Sequence, residues 1–194
     1  EALGVILLLT PLLKTVRPRM ERVVQNLFFP SQRRTSIRLR EAGRALVDLR
    51  SVEEVATLLE KATLEAVHAR SFSLVYGPAS EPLRIAGGQA LPAAFLASST
   101  IRSFLKGDGL ADCDDRSSES AEVEAVKRDL HENELCLALP LPVGEEFRGG
   151  LFLGPRTDER LYTSDDEQLL ETLAVQSSSA LANARAWDEV NELR

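Results

Sequence analysis

The side chains of this sequence best suited to covalent or metal chemistry are two cysteines. Cys113 and Cys136 form no CxxC pair and belong to no cysteine and histidine cluster, so the sequence predicts no metal site. Asp112, Asp114 and Asp115 surround Cys113. Nearby negative charge raises the pKa of a thiol and disfavours the reactive thiolate. We therefore predict no catalytic residue and no metal ligand in this chain.

The two histidines, His68 and His131, each fall at the predicted end of a helix. A cation is favourable there, because the last carbonyl groups of a helix carry partial negative charge. A structural role is therefore the more frequent one for such residues. Two thiols without a disulfide framework are also typical of a reducing compartment.

Charge is distributed unevenly along the 194 residues. The net charge is −7, with +6 in the first forty residues and −13 in the rest. An acidic body argues against a nucleic-acid partner. A basic head before an acidic body indicates two parts with different roles.

The head begins with an apolar run, Ala2 to Leu13, followed by basic residues. As a helix, such a run spans about 18 Å, whereas a bilayer core is about 30 Å thick. The basic residues that follow it favour the cytoplasmic end of a transmembrane helix. We therefore expect membrane contact at residues 1–22 and a location on the cytoplasmic side of the inner membrane. A buried helix of a soluble protein is the alternative, and the charge order disfavours a signal peptide.

The rest of the chain alternates short apolar strands with amphipathic helices. The capping-box pattern from Ser51 to Glu54 begins a helix that runs to Val67. Adjacent short strands with tight turns favour an antiparallel sheet with helices packed on it, an α+β fold. Further predicted elements are strands at 70–76, 83–86 and 110–114, helices at 92–107 and 121–131, a hairpin at 135–154 and a long helix at 165–194.

The hairpin LCLALPLPVGEEFRGGLFLG carries two prolines in its first strand. Proline lacks an N–H group, so Pro140 and Pro142 predict that this strand stops pairing on one side. Gly149 and Gly150 let the return strand bend or approach another group closely.

Two stretches, LALPLPVGEEFRGGLFLG and YTSDDEQLLETLAVQSSSALANARAW, resemble the C-terminal half of a GAF domain. The resemblance extends weakly back to about Ile37. The proteins it resembles are the GAF domains of membrane-associated bacterial signalling proteins such as sensor histidine kinases. It implies an antiparallel sheet with packed helices and long N- and C-terminal helices. The implied domains are a juxtamembrane helical segment at 1–35, a sensory domain at 36–187 and the start of a signalling helix at 188–194.

The resemblance also implies a ligand site between the sheet and the helices that follow its second strand. Arg116 could there meet a carboxylate or phosphate, with a solvated loop charge as the alternative. The identity of a ligand or cofactor is not implied. The candidate ligand-binding residues are Phe95, Phe104, Cys113, Arg116 and Val126.

The resemblance does not extend to the specialised GAF subclasses. Tyr162, Asp166 and Glu167 partly match the cyclic-nucleotide-binding pattern, but no Asn–Lys pair precedes them, and Ser164 with Glu167 forms a capping-box pattern. Neither cysteine lies in a bilin-attachment motif. A thiol enzyme of the free methionine sulfoxide reductase type remains a less favoured alternative.

Two helical stripes predict a homodimer. GAF domains of signalling proteins often dimerise through their first and last helices, so we expect a sensory or regulatory module that binds a small molecule or relays a signal through such helices. A ligand-free dimerisation scaffold is the main alternative. The stripes comprise Leu39, Ala42, Leu46 and Leu49 near the N-terminus, and Leu173, Ser177, Ala180, Ala184 and Trp187 in the last helix.

Overall fold

A computed structural model describes residues 51–78, 83–107, 109–114, 120–141 and 147–192. The expected membrane contact at residues 1–22 and the stripe of Leu39, Ala42, Leu46 and Leu49 lie outside the described residues, as do Arg116 and Pro142. No helix in the described part of the chain combines the length and the apolar character needed to cross a bilayer.

Helices and strands follow one another largely as the sequence predicts. In chain order they are α1 (Val52–Val67), β1 (Phe72–Pro78), β2 (Arg84–Gly88), α2 (Ala93–Ala97), α3 (Ser99–Phe104), β3 (Ala111–Asp112), α4 (Ala121–Glu132), β4 (Leu137–Leu141), β5 (Phe147–Leu153) and α5 (Ser164–Glu192).

The strands form one sheet in the order β2-β1-β5-β4-β3, and every neighbouring pair is antiparallel. The predicted α+β class with an antiparallel sheet is therefore confirmed. β1 and β5 form the longest pairing at the centre, from Phe72 opposite Leu153 to Pro78 opposite Phe147.

Helices cover both faces of this sheet, because successive strand side chains point to opposite faces. Leu74 and Leu151 belong to one hydrophobic cluster, which also contains the buried side chains of α1 and α5. Val75 and Phe152, their neighbours in sequence, belong to a second cluster with the side chains of α2, α3 and α4. The core therefore consists of two layers separated by the sheet.

The predicted helix from Pro92 to Gly107 is instead two short helices. Ser98 has φ −57° and ψ 127°, which breaks the helical path between α2 and α3. Its hydroxyl accepts a bond from the Ile101 amide at 3.5 Å and donates one to Asp129 at 3.0 Å. Serine competes with the helix in this way because its side chain can bond to nearby backbone amides.

The proline strand pairs fully with β5 but only partly with β3. Pro140 lies opposite Gly150 of β5, whereas β3 pairs with Leu137 and Ala138 alone among the described residues. The missing N–H of Pro140 therefore falls where β4 has lost its neighbour on that side. The prediction of one-sided pairing is confirmed at Pro140.

The capping box of α5 lies one residue earlier than predicted. The amide of Thr163 donates to the Asp166 carboxylate at 3.0 Å, and the amide of Asp166 donates to the Thr163 hydroxyl at 3.2 Å. Thr163 and Asp166 thus form the reciprocal pair, rather than Ser164 and Glu167. Asp166 takes the capping role because it also pairs with the guanidinium of Arg156, whose side chain is 11% exposed.

Most of the stripe on α5 assigned to a partner chain is buried within one protomer. Four of its five residues are each at most 3% exposed: Leu173, Ser177, Ala180 and Ala184. Three of these belong to the hydrophobic cluster, and Ser177 is a buried polar residue. Trp187, in contrast, is 47% exposed. The small residues allow close packing inside the chain, which the sequence pattern alone does not distinguish from packing against a second copy. Dimerisation itself stays a prediction.

Candidate functional site

A cavity of about 570 Å³ lies at one end of the sheet, beside the C-terminal end of α4. β1 and β4 begin at this end of the sheet, and β2, β3 and β5 end there, because neighbouring antiparallel strands run in opposite directions. We refer to it as the end-of-sheet cavity. It is lined by Arg70, Ser71, Gln89, His131, Glu134, Leu135, Cys136 and Pro155.

The lining of the end-of-sheet cavity combines an exposed polar rim with a less exposed wall. Arg70, Gln89, His131 and Glu134 are exposed, whereas Leu135 is buried. Among the described residues, no hydrogen bond or ion pair joins the side chains of the four rim residues to the protein. Their donors and acceptors are therefore available to a molecule from solvent.

Backbone contacts hold the rim residues in place. The Arg70 amide donates to the Pro155 carbonyl at 2.8 Å, and the Gln89 amide donates to the Phe72 carbonyl at 2.6 Å. Gly88, with φ 84°, makes the turn before Gln89. A Cβ at that position would overlap the Phe72 carbonyl oxygen, so only glycine fits.

Glu134 occupies a backbone conformation that usually carries glycine. Its φ is 57°, in the left-handed region, and the following amide of Leu135 donates to the Leu130 carbonyl at 2.9 Å to close α4. Glycine is preferred after a helix in this arrangement. A side chain there costs about 1 kcal/mol. The sequence thus keeps a carboxylate at the end-of-sheet cavity despite a local conformational cost.

The wall of the end-of-sheet cavity is linked directly to the start of α5. Arg156 follows Pro155 and holds Asp158 through two bonds of 2.9 and 3.0 Å. Its remaining nitrogen, Nη1, contacts Asp166 Oδ2 at 2.8 Å. Asp166 is the capping residue of α5, so one guanidinium connects the end of β5 to the first turn of the last helix. The Arg156 guanidinium lowers the pKa of Asp158 through these hydrogen bonds.

Comparison with solved structures identifies the architecture. No protein-family model and no curated protein matches this sequence. The GAF domain of a phosphoenolpyruvate-protein phosphotransferase from Coxiella burnetii is similar over 81% of this chain and 98% of its own, with TM-score 0.58 and 16% identity. The GAF domain of a putative sensor histidine kinase from Pseudomonas syringae pv. tomato is similar over 84% and 95%, with TM-score 0.54 and 15% identity. The GAF domain of the potassium sensor histidine kinase KdpD from Escherichia coli is similar over 81% and 99%, with TM-score 0.53 and 18% identity.

The chain has the GAF fold. Sequence identities of 15–18% to these structures show the fold alone.

Four of the five predicted ligand-binding residues lie in the described part of the chain, on the face of the sheet that α2, α3 and α4 cover. Phe95, Phe104 and Val126 are buried together in one hydrophobic cluster, and Cys113 packs against it half-buried. The Phe95 and Phe152 rings meet edge to face, with centroids 5.2 Å apart. The structure therefore brings these four residues together as packing, and none of them is part of the lining of the end-of-sheet cavity. Their role in binding a ligand stays a prediction.

Cys113 directly follows β3 and Cys136 directly precedes β4, and the two side chains pack on different sides of the sheet. The Cys113 amide donates to the Cys136 carbonyl at 2.9 Å, yet Cys113 packs in the cluster of α2 to α4 and Cys136 in that of α1 and α5. Burial raises the pKa of Cys113 to about 12 and also raises the pKa of Cys136. A thiol that keeps its proton is a poor nucleophile, which argues against the thiol-enzyme alternative.

We predict that both thiols of the folded chain react slowly with iodoacetamide. At about pH 8 the Cys113 rate should be at least ~100-fold below that of the chain in denaturant, because the folded state holds the thiol proton. The pKa of Cys113 is about 12 in the folded chain, against an ordinary value of 9.0. Between these two values the unfolded chain loses the thiol proton and the folded chain keeps it, so the free energy of unfolding should fall as pH rises from 9.0 to about 12. Mass spectrometry of alkylated peptides measures both rates. Equal rates for folded and unfolded chains would contradict the raised pKa values.

No pattern in the sequence indicates the end-of-sheet cavity. Arg70, Gln89 and Glu134 are far apart in sequence, and each lies just outside a strand or helix. The relevant signal is that two strands begin and three strands end at the same end of an antiparallel sheet. That signal requires the strand order, which the sequence pattern does not provide.

Proposed function

We propose that this GAF-fold chain is a sensory or regulatory module of a signalling protein and is not itself an enzyme. In this proposal a small molecule binds in the end-of-sheet cavity and alters the position or stability of α5. The observation that carries it is the contact between Arg156, next to the Pro155 wall, and Asp166 at the start of α5. Similar folds in a phosphotransferase and in sensor histidine kinases support a regulatory role by analogy.

The signal would pass through backbone contacts of the cavity wall. A ligand held by Arg70 acts on the segment of Pro155, because the Arg70 amide is bonded to the Pro155 carbonyl. Tyr162, just before α5, donates its hydroxyl to the Gly154 carbonyl at 2.7 Å. Two contacts therefore join this wall to α5. The ligand shifts the helix only to the extent that it binds two arrangements of this segment with different affinity.

A screen of the purified chain tests this proposal. Thermal unfolding is measured against a panel of nucleotides, sugar phosphates, organic acids and amino acids. A ligand of the folded state should raise the midpoint, and should slow amide exchange in the segment 154–166 and in α5. Exchange that changes only elsewhere would contradict the proposed route, and no stabilising compound would contradict ligand sensing.

A ligand-free dimerisation scaffold is the second candidate function. Val175 and Trp187 on α5 are 62% and 47% exposed, which leaves apolar surface for another chain. Light scattering distinguishes the candidates when combined with the screen. A stable dimer that binds no panel compound favours the scaffold, whereas a ligand-dependent change in α5 favours the sensor. Both the scaffold and the sensor are compatible with the expected homodimer.

We further propose that the module works at the cytoplasmic side of a membrane. The basic residues Lys14, Arg17, Arg19 and Arg22 directly follow an apolar run and would interact with anionic headgroups. Sedimentation with vesicles that contain anionic lipid should recover the whole chain, and binding should weaken as salt increases. Equal recovery with neutral vesicles in high salt would contradict the electrostatic part of this proposal.

A further inference from the structure

We infer that the end-of-sheet cavity binds a small zwitterion, a molecule with a carboxylate and an ammonium group such as a free amino acid. This inference rests on the proposed sensory function and names its ligand class. The cavity rim presents one guanidinium, from Arg70, and one carboxylate, from Glu134, and neither side chain is paired with another described residue. Two opposite charges left available on one rim are complementary to a ligand that also carries both.

Arg70 provides the carboxylate half of the site. A guanidinium has donors arranged in a fork that matches the two oxygens of a carboxylate. Gln89 and Ser71 line the same cavity and add an amide and a hydroxyl, which can complete the hydrogen bonds of those oxygens.

Glu134 provides the ammonium half. An ionised carboxylate only accepts hydrogen bonds, and an ammonium group only donates them. The left-handed backbone at Glu134 would favour glycine, so a structural requirement does not explain the glutamate. A residue that departs from local preference beside a cavity is a candidate for function.

The remaining lining suits a small ligand with some apolar surface. Leu135, Pro155 and Cys136 give the wall a less polar character than the rim. The cavity volume of about 570 Å³ falls within the usual range for small-molecule sites. A phosphate or nucleotide fits less well, because its multiple negative charges would lie beside Glu134.

Calorimetric titration of the whole chain with each standard L-amino acid tests the inference. The best-binding amino acid is then compared with its deamino carboxylic acid and its decarboxylated amine. Each analogue leaves one cavity charge without a partner, so each should bind at least about tenfold more weakly. An analogue with a single charge that binds as tightly as the amino acid overturns the zwitterion inference.

Matched variants locate the site. Arg70→Gln and Glu134→Gln should each weaken binding about tenfold or more, because each removes a charge-assisted contact. Arg128→Gln and Glu132→Gln, at exposed positions of α4 outside the cavity lining, should leave binding unchanged. If the control variants weaken binding as much as the cavity variants, the assigned site is wrong.

Glu134→Gly separates a ligand role from a structural one. Glycine relieves the left-handed backbone, so this variant should unfold at higher urea concentration while it binds the amino acid more weakly. Unweakened binding by Glu134→Gly overturns the assignment of Glu134. If no amino acid binds but another compound of the panel slows exchange in α5, the zwitterion inference fails and the sensory function stands. If nothing binds, both fail.

Discussion

Replacing Arg156 by alanine is expected to destabilise the chain by about 3 kcal/mol. Arg156 and Asp166 are each 11% exposed at their side chains, and the contact between them is 2.8 Å long. Removal of the guanidinium leaves the Asp166 carboxylate largely buried without its cationic partner. The loss should appear as a lower midpoint in urea unfolding, with the slope unchanged.

Arg160→Ala is the matched control for Arg156→Ala. Arg160 is an exposed arginine of the same loop, so its replacement should change stability by less than about 0.5 kcal/mol. A double-mutant cycle between Arg156→Ala and Asp166→Ala isolates their contact, with an expected coupling of roughly 1–3 kcal/mol. Independent effects of the two substitutions would show that the pair does not anchor α5.

The same substitution tests the signal route. Arg156→Ala should leave amino-acid binding in the end-of-sheet cavity within about threefold, since the side chain is not part of the lining. The ligand-induced change in amide exchange along α5 should be lost. Retention of that change would mean that the signal passes by another path.

Replacing Phe152 by alanine is expected to cost about 4 kcal/mol of unfolding free energy. Phe152 is fully buried at the centre of the sheet and meets Phe95 edge to face at 5.2 Å. Its removal leaves a cavity between β5 and α2 that neighbouring side chains fill only in part. Chemical unfolding followed by circular dichroism measures the loss.

Phe152→Leu and Leu161→Ala serve as graded controls. Leucine retains part of the buried surface, so its cost should be smaller than that of alanine. Leu161 is 60% exposed, and its replacement should cost less than about 0.5 kcal/mol. A double-mutant cycle between Phe152→Ala and Phe95→Ala should give a coupling free energy of about 0.5–1.5 kcal/mol for the contact between the two rings. A neutral Phe152→Ala would contradict the assignment of this face as core and would favour the ligand site predicted from the sequence.

Local sequence patterns predicted most elements for identifiable physical reasons. Ser51 caps α1 by accepting from the Glu54 amide at 3.3 Å, as the capping-box spacing indicates. Pro140 marks the loss of pairing on one side of β4 because it has no N–H to donate. These features depend on neighbours within a few residues, so a pattern of residue types suffices to find them.

Helix breaks and caps were harder to place because several residues competed for the same role. Ser98 interrupts a continuous apolar pattern, and its cap depends on Asp129 from another helix. At the start of α5, Asp166 displaces Glu167 as the capping acid because Arg156 approaches from the preceding loop. The partner in each case is set by tertiary contacts that residue spacing does not encode.

The sequence by itself determined the α+β class, the order of most elements and the resemblance to GAF domains, because periodicity, caps and turns are local properties. Only the tertiary structure decided which faces are buried and which charges meet. It placed Ser177 and Ala184 inside the protomer and packed Phe95 edge to face against Phe152. It also brought Arg70 and Glu134 to one cavity, because antiparallel pairing places strand ends that are distant in sequence at the same end of the sheet.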